Sequence, residues 1–567
     1  MSSQELIQQW QQADLPADLA KEMSQATPAE LEDAFYQNLS FGTAGMRGQM
    51  GPGTNRMNIF TVCQVTEALA NYIDQQGETA KKRGVVISFD SRHHSQEFAE
   101  NAAEVLSAHG IQVFLFTSLR PTPELSFSVR YKKAFAGIMI TASHNPKQDN
   151  GYKVYGEDGG QMIPSAVQAV LDERAKITDP FHIQLDKTRR HVTMVDDELD
   201  NAYLAEVKTV TVDHDLVAKE SKQVKFVYSP LHGTGQYIGE KALKQAGFTN
   251  YTIVKEQAVL DGDFPTVKKP NPEDPGAMAL GIEYAKREGA DMVVATDPDA
   301  DRMGAAVRLS DGSYKLLTGN QIAALMVHYL LSAKKRTKTL PENGAIVTSI
   351  VSSTFAQQIA KSYGVATFDV LTGFKYIAAM IDRFEATGDY QFLFGFEESY
   401  GYLIKPFAHD KDAIQALVLF AELAAYYKSI GQTFADGLDE LFEKYGYFEE
   451  KTTSFEFPGM NGHQEMADIM TKMRKERLTT IVGQPVIAVQ DFQQGLEFDR
   501  NGEEKPLSQP QANVLKYWLA DGSWVALRPS GTEPKLKLYV GVVSDSAEAA
   551  DHQLKQIQAE FDQAIKN

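Results

Sequence analysis

The stretch AGIMITASHNPKQDNG, residues 136–151, sets an unbroken apolar run against a polar loop closed by Pro and Gly. A short apolar run bounded by turn residues reads as a buried strand feeding a loop. Working outward, the same arrangement returns four times. VVISF leads into Asp90-Ser91-Arg92, KFVYS into PLHGTG, MVVAT into DPDADR, and FLFGF into EESYGY. Helix-like stretches lie between, among them AVQAVLDERA, IGEKALKQAGF and NQIAALMVHYLLSAKK. Strands alternating with helices predict α/β sheets with much parallel pairing, and ligands gather beyond the carboxyl ends of such strands. The candidate loops fall at those ends.

A chain of 567 residues exceeds one core and predicts several domains. The turn-rich stretch from Lys187 to Asp200 is expected to separate the first from the second. The turn Asp311-Gly312 and the aromatic segment Tyr445–Phe448 mark later boundaries. The division read from these signals is 1–200, 201–320 and 321–445 as α/β domains, then 446–567 as a smaller α+β domain with strand-like WVALR and KLYVGVV.

Lys and Arg number 56 against 75 Asp and Glu, a net charge of −19. That balance argues against nucleic acid or an anionic membrane as partner, since both reward a basic surface. An acidic protein that binds an anion must concentrate positive charge locally. Cys63 is the only cysteine, which excludes an intrachain disulfide and fits a reducing cytosol. The amino-terminal residues are polar and amphipathic, without a signal-peptide core. The most apolar stretch, AIQALVLFAELAAYY from Ala413, is broken by Gln415 and Glu422 and is expected to be a buried helix.

Four loops carry candidate chemistry. Ser143, in TASHNP, stands where a strand end can aim a hydroxyl, although the same residues make an ordinary capping turn. No Gly-x-Ser-x-Gly elbow surrounds it, so acyl chemistry has little support. Asp149-Asn150-Gly151 is read as a turn returning the chain to Lys153. Asp297, Asp299 and Asp301 alternate in DPDADR; three like charges so close call for a cation, and carboxylate oxygens suit Mg²⁺ or Ca²⁺. An EF-hand needs Gly at the sixth position and Glu at the twelfth, where this chain has Arg302 and Arg308. Arg302 beside the carboxylates points to a bound anion. Glu397, Glu398 and Ser399 can grip sugar hydroxyls or form a plain turn. Arg528-Pro529-Ser530-Gly531-Thr532-Glu533-Pro534-Lys535 reads either as a phosphate nest or as an empty Pro/Gly loop.

Together these loops resemble the α-D-phosphohexomutase family over nearly the whole chain. TASHNP, DPDADR, GFEES and RPSGTEPK stand in the family's order, and FGTAGMRG with DGDFPTVKKPNPE is similar to its longer branch. The resemblance implies a four-domain, heart-shaped architecture: three mixed α/β domains and a smaller α+β carboxyl-terminal domain. It implies a phosphoserine at Ser143 and Mg²⁺ held by the seryl phosphate with Asp297, Asp299 and Asp301. By the same resemblance Arg47 and Lys153 stand beside the phosphoserine, Lys153 as proton acceptor or donor, and His144 fixes the loop. Thr372, Gly373, Glu397, Ser399, Arg302 and Lys411 contact the phosphosugar, and Arg528, Ser530, Gly531 and Thr532 grip the distal phosphate.

The implied reaction interconverts glucose 1-phosphate and glucose 6-phosphate through glucose 1,6-bisphosphate, with a small-molecule sugar phosphate as the partner. Relatives that accept mannose carry a Gly-Glu-Met-Ser-Gly-His loop, whereas this chain has Phe-Glu-Glu-Ser-Tyr-Gly. Pro298 and Ala300 replace glycines common in relatives without removing a carboxylate. The base role calls for a Lys153 pKa lowered by Arg47 and Arg302. Pentose, mannose and hexosamine phosphates are the rival substrates. The rival classes are an aspartyl-phosphate phosphatase using Asp297 as nucleophile and Asp299 as general acid, and a non-catalytic sugar-phosphate sensor.

Overall fold

All five apolar runs form strands, and each ends at the polar loop that follows it in sequence. The computed structural model describes residues 2–42, 45–457, 461–530 and 535–566. Its strands make four sheets of seven, five, four and eight strands. In the first sheet Val85–Phe89 pairs in parallel with both Val113–Phe116 and Ala136–Ile140. The Asp90 and Ser143 loops therefore leave the same sheet edge side by side.

Asp149–Tyr155 runs antiparallel to Ala136–Ile140 and sets Lys153 opposite Met139. Asp149-Asn150-Gly151 is thus the start of a strand rather than the expected turn. The turn residues lie within a ladder because Asp149, Asn150 and Gly151 pair with Gln49, Gly48 and Arg47 of the strand Gly45–Gln49. The stretch from Lys187 to Asp200 also differs from a linker. Val192–Val195 pairs in parallel with Val113–Phe116 as the edge strand of the first sheet. Its charged neighbours conceal a short β-branched run whose apolar content is too small to announce a strand.

In the second sheet Met292–Thr296 and Met303–Arg308 form an antiparallel pair closed by the acidic turn. The third sheet ends in Gln391–Glu397 and Gly401–Leu403, joined by the Glu398 turn. The fourth is the carboxyl-terminal antiparallel sheet, backed by the helix Ala547–Lys566.

The helix Ala413–Ile430 is buried in the core shared by the second and third sheets. Asp412 caps it by accepting the N–H groups of Ile414 and Gln415. Its two polar interruptions have partners. Gln415 Oε1 accepts the N–H groups of Ile404 and Lys405, and Glu422 accepts those of Val212 and Asp213 with the Tyr329 hydroxyl. The helix is long and apolar enough to cross a membrane, yet its leucines face protein. Each contributes about 1.5–3 kcal/mol by leaving water.

Candidate active site

The serine loop is built from backbone strain and a buried arginine. Ser143 has φ +52°, the left-handed region that an L side chain adopts at a cost of about 1–3 kcal/mol. Its N–H donates to Thr141 Oγ1 at 2.8 Å, and that hydroxyl donates to Asp90 Oδ2 at 2.6 Å. Arg92 fastens the remainder. Its guanidinium donates to the carbonyls of Ser143 and Asn145, both at 2.6 Å, of Pro146 at 2.8 Å and of Asp149 at 3.0 Å. Asp90 pairs with it at 3.2 Å, and the Phe264 ring of the DGDFP loop lies 5.0 Å away. One planar fork thus ties four carbonyls of this segment together.

The acidic turn meets this loop across 154 residues of sequence: the Ser143 hydroxyl donates to Asp297 Oδ2 at 2.8 Å. Asp297 Oδ1 accepts the N–H groups of Asp301 and Arg302 at 3.1 and 3.0 Å. Ala300, at φ +50°, occupies a left-handed position that costs an L side chain strain. PLHGTG supports the turn from below. Thr234 N–H donates to the Pro298 carbonyl at 2.8 Å, and a Cβ on Gly233 would overlap Pro298.

Asp297, Asp299 and Asp301 are buried, and one oxygen from each falls within 4.8 Å of the others. Asp299 Oδ2 accepts Thr122 Oγ1 at 2.7 Å and Lys153 Nζ at 2.6 Å. Asp301 Oδ2 faces Lys153 and Lys411 at 3.4 and 3.3 Å. The second oxygens, Asp299 Oδ1 and Asp301 Oδ1, are buried without a hydrogen-bond partner. Unpartnered buried carboxylate oxygens are costly unless a cation satisfies them, so the trio fits a hard metal ion. Burial, then the Asp299 and Asp301 charges, push Asp297 well above the usual carboxylate range. Burial also opposes ionisation of Asp301, but Lys411, Lys153 and Arg302 outweigh it and hold that carboxyl below the range.

Lys153 departs from expectation. Burial lowers its proton affinity, but Asp299 and Asp301 more than compensate, and the net shift is upward. Arg47 and Arg302 are not the charges that govern it; the carboxylates at 2.6 and 3.4 Å are. His144 Nδ1 lies 3.2 Å from the Ser143 hydroxyl, so it touches the reactive oxygen as well as adjoining the loop. Burial, then Arg302 and Arg47, keep that imidazole neutral. Arg47 is exposed and reaches Asn145 Oδ1 at 3.3 Å.

The third sheet brings its loops to the same place. Glu397 Oε1 accepts the Gly373 N–H at 2.7 Å, while the Thr372 hydroxyl is buried and unpartnered. The Ser399 carbonyl accepts Arg302 at 2.9 Å, and Arg302 also faces Glu273 at 3.3 Å. Lys411 is oriented by Asp410 at 3.0 Å. Asp410 in turn accepts the Tyr155 hydroxyl at 2.8 Å. On the carboxyl-terminal sheet Arg528 is half-buried near the Tyr539 hydroxyl, and the Ser530 N–H donates to the Lys535 carbonyl at 2.7 Å. Gly531 and Thr532 lie outside the described residues.

Four residues of the site do not stand out in the sequence: Arg92, Thr122, Asp410 and Lys537. Lys537 stands directly opposite Arg528 in the ladder, and burial lowers its pKa while Glu398 pulls the other way. Only Arg92 carried a sequence signal, as part of a polar loop at the end of a strand neighbouring the serine strand.

Fold and site together define a phosphoryl-transfer enzyme built on three α/β units and one α+β unit. Models of the phosphoglucomutase/phosphomannomutase family match in order: alpha/beta/alpha domain I at residues 38–180, domain II at 201–310, domain III at 318–445 and the C-terminal domain at 471–561. The chain belongs to the phosphoglucomutase/phosphomannomutase family. It is 41% identical over 525 residues to a phosphoglucomutase of Staphylococcus epidermidis, covering 92% of this chain and 93% of that one. A Staphylococcus aureus phosphoglucomutase is 36% identical over 524 residues, covering 91% and 92%. The fold is also that of the Paramecium phosphoglucomutase pp63/parafusin, with TM-score 0.69 at 16% identity over 94% of this chain and 95% of that one.

Proposed function

We propose that this enzyme interconverts glucose 1-phosphate and glucose 6-phosphate in the cytosol, with Ser143 as phosphate carrier and glucose 1,6-bisphosphate as bound intermediate. The observation that carries the reading is the Ser143 hydroxyl 2.8 Å from Asp297, at the mouth of a carboxylate trio with unpartnered oxygens. The 36–41% identity to phosphoglucomutases supports glucose as the sugar. Comparing turnover of glucose 1-phosphate, mannose 1-phosphate and ribose 1-phosphate tests it; a preference for either rival overturns the sugar assignment.

In the first half-reaction the 6-hydroxyl oxygen attacks the phosphorus on Ser143. The new bond to the sugar forms as the bond to Ser143 Oγ breaks, and the proton lost by the hydroxyl ends on Oγ. In the second, the phosphate at position 1 returns to Ser143 after the bisphosphate turns round. Such transfers place charge on peripheral oxygens, so positioning and cations do most of the catalysis. Lys153, held as an ammonium by Asp299 and Asp301, is a donor to those oxygens more than a resting base. Mg²⁺, when held by Asp297, Asp299, Asp301 and the seryl phosphate, supplies charge neutralisation and Lewis-acid polarisation. Glu397 and Ser399 hold sugar hydroxyls, with Thr372 and Gly373 from the adjoining loop. Arg302 and Lys411 face the phosphosugar.

Arg528, with Ser530, Gly531 and Thr532, anchors the phosphate remote from the reaction, and its seat on a separate domain favours closure that excludes water. Arg528→Ala is expected to raise KM about 10–100-fold, the worth of a charge-assisted contact, with kcat much less affected. Steady-state kinetics with a coupled glucose 6-phosphate assay checks it. Arg92→Met is expected to do the reverse. Released from four carbonyls, the serine loop misplaces its oxygen, and kcat falls about 10²-fold while KM holds. Arg92→Lys recovers little, because an ammonium cannot span what the guanidinium spans. Equal kinetics in the Lys variant and wild type would remove Arg92 from this role.

A further inference from the structure

Lys516 is a buried cation that the proposed reaction does not use. It lies on the strand Leu515–Leu519 of the carboxyl-terminal sheet, and 3% of it is exposed. Its ammonium is 4.1 Å from the Trp518 ring and 4.4 Å from the Trp524 ring, and donates at 2.6 Å to the carbonyl of Ile350. Among the described residues no carboxylate lies within ion-pairing distance of it. Burial lowers its pKa to about 8, against a pull from Asp369, so at neutral pH it remains largely charged. A desolvated cation between two indoles, capped by one carbonyl, is an expensive group to keep unless its position matters.

The position of that carbonyl is informative. Ile350 belongs to the third sheet's domain and follows Ser349, whose hydroxyl donates to Glu398 at 3.1 Å; the Ser352 hydroxyl lies 3.4 Å from the same oxygen. Lys516 therefore grips the turn that orients Glu398. On its own sheet Lys516 pairs with Ala526, and Ala526 pairs with Tyr539. Two residues along the same face stand Arg528 and its partner Lys537. A Cβ on Gly541 would overlap the Trp524 indole, so that glycine admits the ring under the cation. Around the contact Ile350 and Leu371 pack with Phe492, Trp524 and Tyr539, and Gln509 donates to the Asp369 carbonyl at 3.1 Å. The seam is largely apolar around this contact, and Glu450 of the carboxyl-terminal sheet reaches Ser353 and Asn320 of the third domain elsewhere along it.

We propose that Lys516 is a positioning residue that seats the carboxyl-terminal sheet on the third domain, so that Arg528 and Lys537 face the Glu398 side of the cleft. Apolar packing alone is non-directional and fixes no register between the two surfaces. The charged hydrogen bond from Lys516 supplies direction at this end of the seam, and the indole pair allows the cation to be buried there. The inference rests on the reading of Arg528 as the distal phosphate anchor.

Lys516→Met keeps the length and apolar stem but removes the donor. The expected result is KM for glucose 1-phosphate raised about tenfold with kcat within about twofold, and Lys516→Arg restoring at least half of the lost affinity. A fall in kcat at unchanged KM, or unchanged kinetics, overturns the proposal. If the Met variant does not fold, hydrogen exchange on the intact wild-type protein decides. Residues 349–352 and 514–518 should keep equal protection with and without glucose 6-phosphate; exchange as fast as that of loop tips overturns the seat. Turnover by the wild-type protein is read separately: its absence defeats the functional reading, while the exchange result still tests Lys516.

Discussion

Ser143→Ala protein is expected to lose turnover of glucose 1-phosphate by about 10⁴–10⁶-fold, the scale seen when a covalent nucleophile is removed. The expectation is large because, among the described residues, the hydroxyl nearest in sequence is already engaged. Thr141 lies two residues earlier, but its oxygen is bound between Asp90 and the Ser143 N–H, at 2.6 and 2.8 Å. The alanine protein should nevertheless fold. Ser143 Oγ contributes one hydrogen bond to Asp297 and one contact with His144, about 1 kcal/mol each. The strained φ is held by Arg92 through backbone carbonyls, which the substitution leaves in place. Three measurements check it: a coupled assay, a thermal melt, and intact mass after incubation with glucose 1,6-bisphosphate. Wild-type protein should gain the mass of one phosphoryl group and the variant none. A variant that still gains it, in a form released by hydroxylamine, would transfer the carrier role to a carboxylate such as Asp297.

The parts legible in the sequence are those with a local signature. Five apolar runs ending in polar loops define five strands and the edge at which chemistry collects, and the alternation in DPDADR announces a cation site on charge grounds alone. What was not legible depends on partners distant in sequence. Arg92 looks like any surface arginine until the parallel pairing of Val85–Phe89 with Ala136–Ile140 sets its loop beside the serine loop. Asp149-Asn150-Gly151 has turn composition, yet pairing with Gly45–Gln49 draws it into a ladder. Taken with Arg47 and Arg302 as its neighbours, Lys153 reads as a poor proton holder. The fold gives it two carboxylates as nearest charges, and the sign of the shift reverses. Motif reading identifies which residues meet; it does not fix the distances that decide which charge dominates.

Asp299→Asn is expected to lower kcat about 10³-fold or more and to weaken Mg²⁺ binding at least about tenfold, with a smaller loss of stability. The trio stands among Lys153, Lys411 and Arg302, which already neutralise much of its charge. A divalent cation added there is favoured chiefly by the unpartnered oxygens and by the dianionic phosphate on Ser143, about −2 in charge. Removing one carboxylate tilts this balance toward positive, and an amide nitrogen in place of either Asp299 oxygen adds a donor. If it replaces Oδ2, it opposes Lys153 and Thr122; if it replaces Oδ1, it points a donor at the cation position. Lys153 keeps Asp301 at 3.4 Å, so the stability loss should stay near 1–3 kcal/mol, below the ~3–5 kcal/mol of a fully orphaned buried charge. Calorimetric titration of Mg²⁺ into phosphorylated and dephosphorylated protein, with urea unfolding alongside, separates the two effects. Wild-type protein should bind the metal more tightly when Ser143 carries phosphate. Equal affinity in both forms, with Asp299→Asn indistinguishable from wild type, would mean that the trio serves structure and that transfer draws its neutralising charge from Lys153, Arg302 and Arg47 alone.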